Sequence, residues 1–150
     1  EGWRVRSFDA SEVGVKKSVD WAEREGVSLE VEVADAMQVN PNETFDVVAL
    51  VFAHMPPSMR EAFHRRAWSW VKPGGILVVE GFHKDQLGLA SGGPKDVDML
   101  FDETTFVKDL DGEPCQTLWS AKCEQHLDEG PFHQGKAITC QWVLRKTKAS

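Results

Sequence analysis

Val71-Lys72-Pro73-Gly74-Gly75-Ile76-Leu77-Val78-Val79-Glu80 reads as a helix end, a tight turn and a strand. Proline cannot continue a helix, and glycine tolerates the positive φ that a tight turn needs. Ile76 to Val79 is apolar without alternation, the pattern of a strand buried in a sheet. Upstream, Pro56-Pro57-Ser58 opens a helix that reaches Trp70, with Met59, Phe63, Ala67 and Trp70 on one stripe. Before that helix, the run from Phe45 to Phe52 predicts a strand covered on both faces.

The same alternation of strand and helix continues towards the start of the chain. Trp3 to Asp9 alternates apolar and polar residues and predicts a short strand ending in an acid. Ser11-Glu12 caps a helix carrying Val15, Val19, Trp21 and Ala22, and Gly26 stops it. Leu29, Val31 and Val33 form a second strand that ends at Ala34-Asp35-Ala36. Asn40-Pro41-Asn42-Glu43 is a turn.

Beyond Glu80 the pattern changes. Gly81 to Gly93 reads as a polar, glycine-containing loop, and Asp98 to Leu110 as one more helix. Gln116 to Leu127 and Lys136 to Lys146 are strand-like and joined by Asp128-Glu129-Gly130-Pro131-Phe132-His133-Gln134-Gly135, which predicts an antiparallel hairpin. A turn near Pro131-Phe132 sets Cys123 opposite Cys140, as packed thiols. The fold class is α/β: one domain over residues 1–150, with a mostly parallel sheet of βα units closed by a hairpin.

Composition excludes several classes of function. A net charge of −7 repels a phosphate backbone, so no nucleic-acid partner is expected. No apolar stretch approaches the roughly 20 residues of a membrane span, and no signal-like start is visible. Three cysteines, Cys115, Cys123 and Cys140, lack metal-type spacing, so neither a metal site nor a disulfide framework is expected. Reduced thiols fit a cytoplasmic protein.

The order strand-acid, strand-Asp-Ala, apolar strand, helix, Lys-Pro-Gly-Gly, strand, hairpin resembles class I S-adenosylmethionine (SAM)-dependent methyltransferases, which have a Rossmann-like sheet. The hairpin separates it from nicotinamide-binding Rossmann domains. Gln86-Leu87-Gly88 with Gly92-Gly93-Pro94-Lys95-Asp96, and Leu127-Asp128-Glu129-Gly130 with His133-Gln134-Gly135, resemble the tellurite-resistance and thiopurine methyltransferase-like branch. The resemblance implies SAM as cofactor and a small-molecule acceptor. It gives Asp9 to the ribose hydroxyls, although an acid there also caps the next helix. It gives Asp35 and Ala36 to the adenine, where a plain strand-end turn is the alternative. Phe52, Ala53 and His54 would flank the sulfonium and substrate, or be core and surface residues. His83, Lys84 and Gln86 would face the acceptor, or form a solvated loop, and His133 would shape the hairpin tip. No catalytic residue is assigned, because SAM is already an activated electrophile and positioning supplies most of the acceleration.

The resemblance also implies a Gly-rich loop after a first strand, and the chain opens at Glu1-Gly2-Trp3 where the family is in its second strand. The expectation is therefore a sheet missing its first strand and helix. Two or three hydrogen bonds to the methionine end of SAM would be lost, at roughly 1.5–3 kcal/mol each. Affinity would fall by roughly 10² or more. Two readings follow: a methyltransferase that is active when the missing loop is supplied, or a non-catalytic, methyltransferase-derived oligomeric or binding module with weak or no SAM binding. A homodimer covering the surface of the missing strand is expected, or, as a variant, an upstream segment that supplies the missing unit.

Overall fold

The computed structural model describes residues 2–128, 130 and 133–148. These residues form two compact units, one up to Asn42 and one from Glu43 onward. The hairpin-tip residues Glu129, Pro131 and Phe132 lie outside the described residues.

The first unit is a β-α-β turn. Strand β1 (Arg6–Asp9) pairs in parallel with β2 (Glu30–Val33), and helix α1 (Glu12–Arg24) connects them. The Ser11 side chain caps α1 by accepting from the Gly14 N–H at 3.2 Å. Gly26, at φ 64°, follows the helix end as the sequence predicts. No residue of α1 is buried, and Trp21 is 67 % exposed.

The second unit holds a four-stranded sheet in the order β3-β4-β6-β5. Strand β3 (Phe45–Val51) is parallel to β4 (Val71–Phe82), while β6 (Gln134–Lys146) is antiparallel to both β4 and β5 (Cys115–Asp128). Among the described residues two ladders are parallel and two antiparallel, so the sheets are mixed. Helix α2 (Pro57–Ser69) packs Phe63, Ala67 and Trp68 into the core, with His64 buried beside them. Leu77 and Val79 of β4 and Trp142 and Leu144 of β6 are buried as well. Alternation along each strand places these four on one side of the sheet.

The Lys72–Gly75 turn lies inside β4 rather than before it. Pairing jumps from Phe45↔Val71 to Val47↔Ile76, so four residues bulge out opposite a single residue of β3. Gly74 takes φ 85° there, and a side chain on Gly75 would come within 2.9 Å of the Asp46 carbonyl. Lys72 donates to the Asp46 carboxylate at 2.8 Å, pinning the bulge to β3.

Three expectations are corrected. β3 is covered on one face only: Val48 and Leu50 are buried, but Val47 and Val51 are 43 % and 64 % exposed. An apolar run does not by itself say what lies over it. The helix expected over residues 98–110 is two short pieces, a 3₁₀ turn at Val97–Met99 and α3 (Thr105–Asp109). Between them Phe101 is drawn into a parallel bridge with His83, a long-range pairing that local propensity does not show. Gly81 and Phe82, expected in a loop, finish β4.

The cysteine pairing slips by one. Cys123 faces Thr139 and Cys140 faces Lys122. Since a one-residue slip reverses the side of a strand, the two thiols point to opposite faces. All three cysteines are free, and burial pushes the Cys140 thiol up to about 12.

Candidate functional site

In the first unit both strands end together, with Asp9 opposite Val33. The ladder then continues through the Ala34 N–H, which donates to the Asp9 carbonyl at 3.0 Å. The Asp9 carboxylate turns towards the start of α1. Its Oδ1 accepts from the Ser11 N–H at 2.7 Å, and its Oδ2 lies 2.9 Å from where a Cβ on Gly14 would sit. Gly14 is therefore the cradle of this carboxylate, and Asp9 fixes the N–H of Ser11, the residue whose side chain caps α1.

Asp35 opens a tight turn. Its Oδ1 accepts from the Met37 N–H at 2.8 Å, and its carbonyl accepts from the N–H groups of Gln38 and Val39 at 2.8 and 3.0 Å. That turn folds Gln38 and Val39 back over the strand ends. The result is an open hollow of about 450 Å³ lined by Ala10, Glu32, Val33, Ala34, Asp35, Gln38 and Val39. Two carboxylates on its wall favour an amine-bearing group and repel a phosphate. Asp35 keeps a carboxylate oxygen for a ligand amino group, and Ala36 follows it in the same turn. The donor set thus fits the nucleoside part of SAM, at the carboxyl ends of parallel strands where α/β folds bind ligands. Of the residues expected at the adenine, Asp35 lines the hollow and Ala36 lies in its turn; Gln38 and Val39, which also line it, were not singled out in the sequence, where an acid opening a turn was the one signal for them.

In the second unit β3 ends abruptly. Phe52 sits at φ 50°, the one positive-φ residue among the described residues that is not glycine. A bulky aromatic there stores strain of order 1–3 kcal/mol, which the surroundings must hold. Its ring lies 4.7 Å from that of Phe82 and packs against a cluster of Phe82, Leu100, Leu127 and Ala137. His54 has both nitrogens engaged by backbone groups. Nε2 accepts from the Phe82 N–H at 2.9 Å, so Nδ1 carries the proton and donates to the Met99 carbonyl at 2.9 Å. Its ring packs between those of Phe82 and Phe101, with centroids at 5.8 and 4.4 Å.

The expected acceptor residues are tied down as well. Gln86 is buried: its Nε2 donates to Ser91 Oγ and the Gly92 carbonyl, and its Oε1 accepts from the Ile138 N–H at 2.8 Å. It fastens the loop to β6. His83 accepts at Nδ1 from the Asp85 N–H at 2.9 Å and leaves Nε2 3.7 Å from a Glu103 carboxylate oxygen. Lys84 pairs with Asp102, whose carboxyl that hydrogen bond holds well below the usual range. Among the described residues no group of three or more acidic, His or Cys side chains could hold a metal ion.

One buried polar cluster escaped the sequence reading. Asp109 of α3 accepts from Arg60 Nε and from His64 Nδ1, both at 2.8 Å, fastening α3 to α2. Arg60 and His64 stand four apart on α2, a readable spacing, but their acid lies 45 residues away from His64. Burial lowers the His64 pKa, outweighing the Asp109 hydrogen bond that raises it. His64 is therefore neutral, and its Nε2 has no partner. Burial pushes the Asp109 carboxyl up, but the bonds from His64 and Arg60 carry it down overall. The positive charge holding it ionised is that of Arg60.

Residues 1–75, half of the chain, match the methyltransferase domain family, and this chain belongs to that family. It is similar to a ubiquinone biosynthesis O-methyltransferase of Paramagnetospirillum magneticum, with 35% identity over 79 residues. That match takes in 51% of this chain and 31% of the relative, so the chain spans about a third of the curated protein it matches. Among solved structures it resembles TehB from Haemophilus influenzae, with a TM-score of 0.74 and 15% identity over 97% of this chain and 51% of that one. A SAM-dependent methyltransferase from Methanosarcina mazei gives a TM-score of 0.75 at 15% identity, covering 99% of this chain and 84% of that one. The N-methyltransferase NodS from Bradyrhizobium japonicum, solved with S-adenosylhomocysteine, gives 0.68 at 13% identity, covering 97% and 67%. At such identities these likenesses show the fold, which is the α/β, Rossmann-like fold of methyltransferases. The family cofactor is SAM. No helix among the described residues is long and apolar enough to cross a membrane.

Proposed function

We propose that this chain is part of a SAM-dependent methyltransferase that acts on a small molecule. The observation that carries this reading is the acid-walled hollow at the ends of β1 and β2. There Asp35 would accept from the adenine amino group and Ala36 would offer its N–H to the ring. Asp9 would take a ribose hydroxyl with the oxygen that Ser11 does not use. In the second unit the reading gives the turn at Phe52 to the methyl-donor end. SAM would supply the activated methyl group; the chain's part is to hold, orient and exclude water. Gln86 and His83 shape the loop beyond β4 in this reading, rather than touching the acceptor. The branch resembling tellurite-resistance and thiopurine methyltransferases, and a cytoplasmic location, belong to the same proposal.

A second reading, a non-catalytic module, is favoured by one observation. Within the first unit an apolar hollow of about 710 Å³ opens beside Trp3, Val5, Trp21 and Leu29. A second copy of this chain would cover it.

Calorimetric titration with S-adenosylhomocysteine separates the two readings. The first expects weak, saturable binding that Asp35→Ala reduces by about tenfold or more, since a hydrogen bond to a charged group is lost. No heat and no rise in melting temperature would sink the first reading in favour of the second.

A further inference from the structure

We propose that His54 is a positioning residue that stands in for a missing strand carbonyl and so holds the Phe52 turn in place. In a parallel ladder, the residue that donates to Glu80 should also accept from Phe82. Phe52 does the first: its N–H donates to the Glu80 carbonyl at 2.8 Å. It does not do the second, because at φ 50° its carbonyl turns away and accepts from the His54 N–H at 3.0 Å. The Phe82 N–H left over goes to His54 Nε2 at 2.9 Å.

The edge of β4 then passes to a different segment. The Phe101 N–H donates to the Phe82 carbonyl and the Lys84 N–H to the Phe101 carbonyl, both at 2.9 Å. Through Nδ1–H, His54 also holds Met99 of that segment. One imidazole therefore splices the end of β3 to the piece of chain that replaces it beside β4. Its ring is clamped at 4.4 Å from the Phe101 ring, and a side chain on Gly81 would come within 3.2 Å of its Cε1. Only the neutral Nδ1–H tautomer can make both bonds.

The link to cofactor binding rests on the proposed function, while the splice itself does not. The test compares the wild type with His54→Phe, which keeps a ring but neither bond, and His54→Gln, which can donate and accept. Amide exchange at Phe82 should speed up by about tenfold or more in His54→Phe and be partly restored in His54→Gln, with Leu77 and Val79 unchanged. Imidazole ¹⁵N shifts in the wild type should report the Nδ1–H tautomer, and the Phe52 and Ala53 amide signals should move in His54→Phe. Affinity for S-adenosylhomocysteine should fall by about tenfold in His54→Phe and be partly restored in His54→Gln. Unchanged Phe82 exchange, or an Nε2–H tautomer, overturns the splice. Faster exchange with unmoved Phe52 and Ala53 signals overturns the positioning role. If the wild type binds no S-adenosylhomocysteine, the proposed function fails, and exchange and the Phe52 signals alone decide this proposal.

Discussion

At the scale of a residue, Gly14 makes the sharpest case. It lies in the first turn of a helix, where alanine is favoured over glycine by up to about 1 kcal/mol. It keeps ordinary helical backbone, so nothing in its conformation demands glycine; the demand comes from the Asp9 carboxylate, 2.9 Å from a would-be Cβ. That carboxylate ends a short side chain and can swing aside. Gly14→Ala should therefore leave the melting temperature unchanged or slightly raised, while displacing Asp9 and weakening S-adenosylhomocysteine binding several-fold. Thermal melts and calorimetry on the same preparation check this. A large loss of stability would mean that Asp9 serves the helix cap and nothing else. The sequence singled out Asp9 but not its cradle, since no local pattern tells which neighbour packs on a carboxylate.

At the scale of elements, two histidines, His54 in the turn after β3 and His64 on α2, hold the 97–109 segment, and this sets an acid sensitivity. Burial lowers the pKa of His54, against the Met99 carbonyl that raises it, and lowers that of His64 against Asp109. The groups facing them are few: His54 meets Phe82, Met99 and Phe101 and feels His64, while His64 meets Asp109 and Arg60, with Phe106 stacked at 4.1 Å. A histidine whose folded pKa is depressed binds its proton more readily when unfolded. Stability is then complete above pH 6.5, the ordinary value, and falls as pH drops below it, by at most ~1.4 kcal/mol per pH unit for each histidine. Urea midpoints at pH 7.5 and pH 5 should show this loss, and the double variant His54→Gln, His64→Gln should flatten it. Equal wild-type midpoints would mean that both rings stay neutral when unfolded, which their chemistry forbids, or that burial is relieved by local opening. Much of this layer was legible. The Lys72–Gly75 turn, the caps at Ser11 and Gly26 and the closing hairpin are chemistry of local sequence. Phe101 was not legible, because the β4 edge recruits it from far along the chain. The hairpin register was missed by one residue because the ladder closes at Asp128↔Gln134.

At the scale of the whole chain, the two units differ in what they bury. Among the described residues up to Asn42 none is fully buried, whereas the second unit encloses Trp68, Trp142, Phe63 and Phe106 almost completely. A β-α-β turn without a buried side chain cannot offset the entropy of ordering its backbone, about 1–2 kcal/mol per residue. Its amides should therefore exchange quickly in dilute solution while those of β4 and β6 stay protected. Exposed Trp3, Val5 and Trp21 give that unit something to bury against. We expect protection across α1 and β1 to rise with protein concentration in the micromolar range, together with the mass seen by light scattering. Protection that rises with the mass supports self-association. A monomer whose first unit is already protected at the lowest concentration would show that α1 and β1 are stable without a second copy, and the proposed homodimer would then have no work to do.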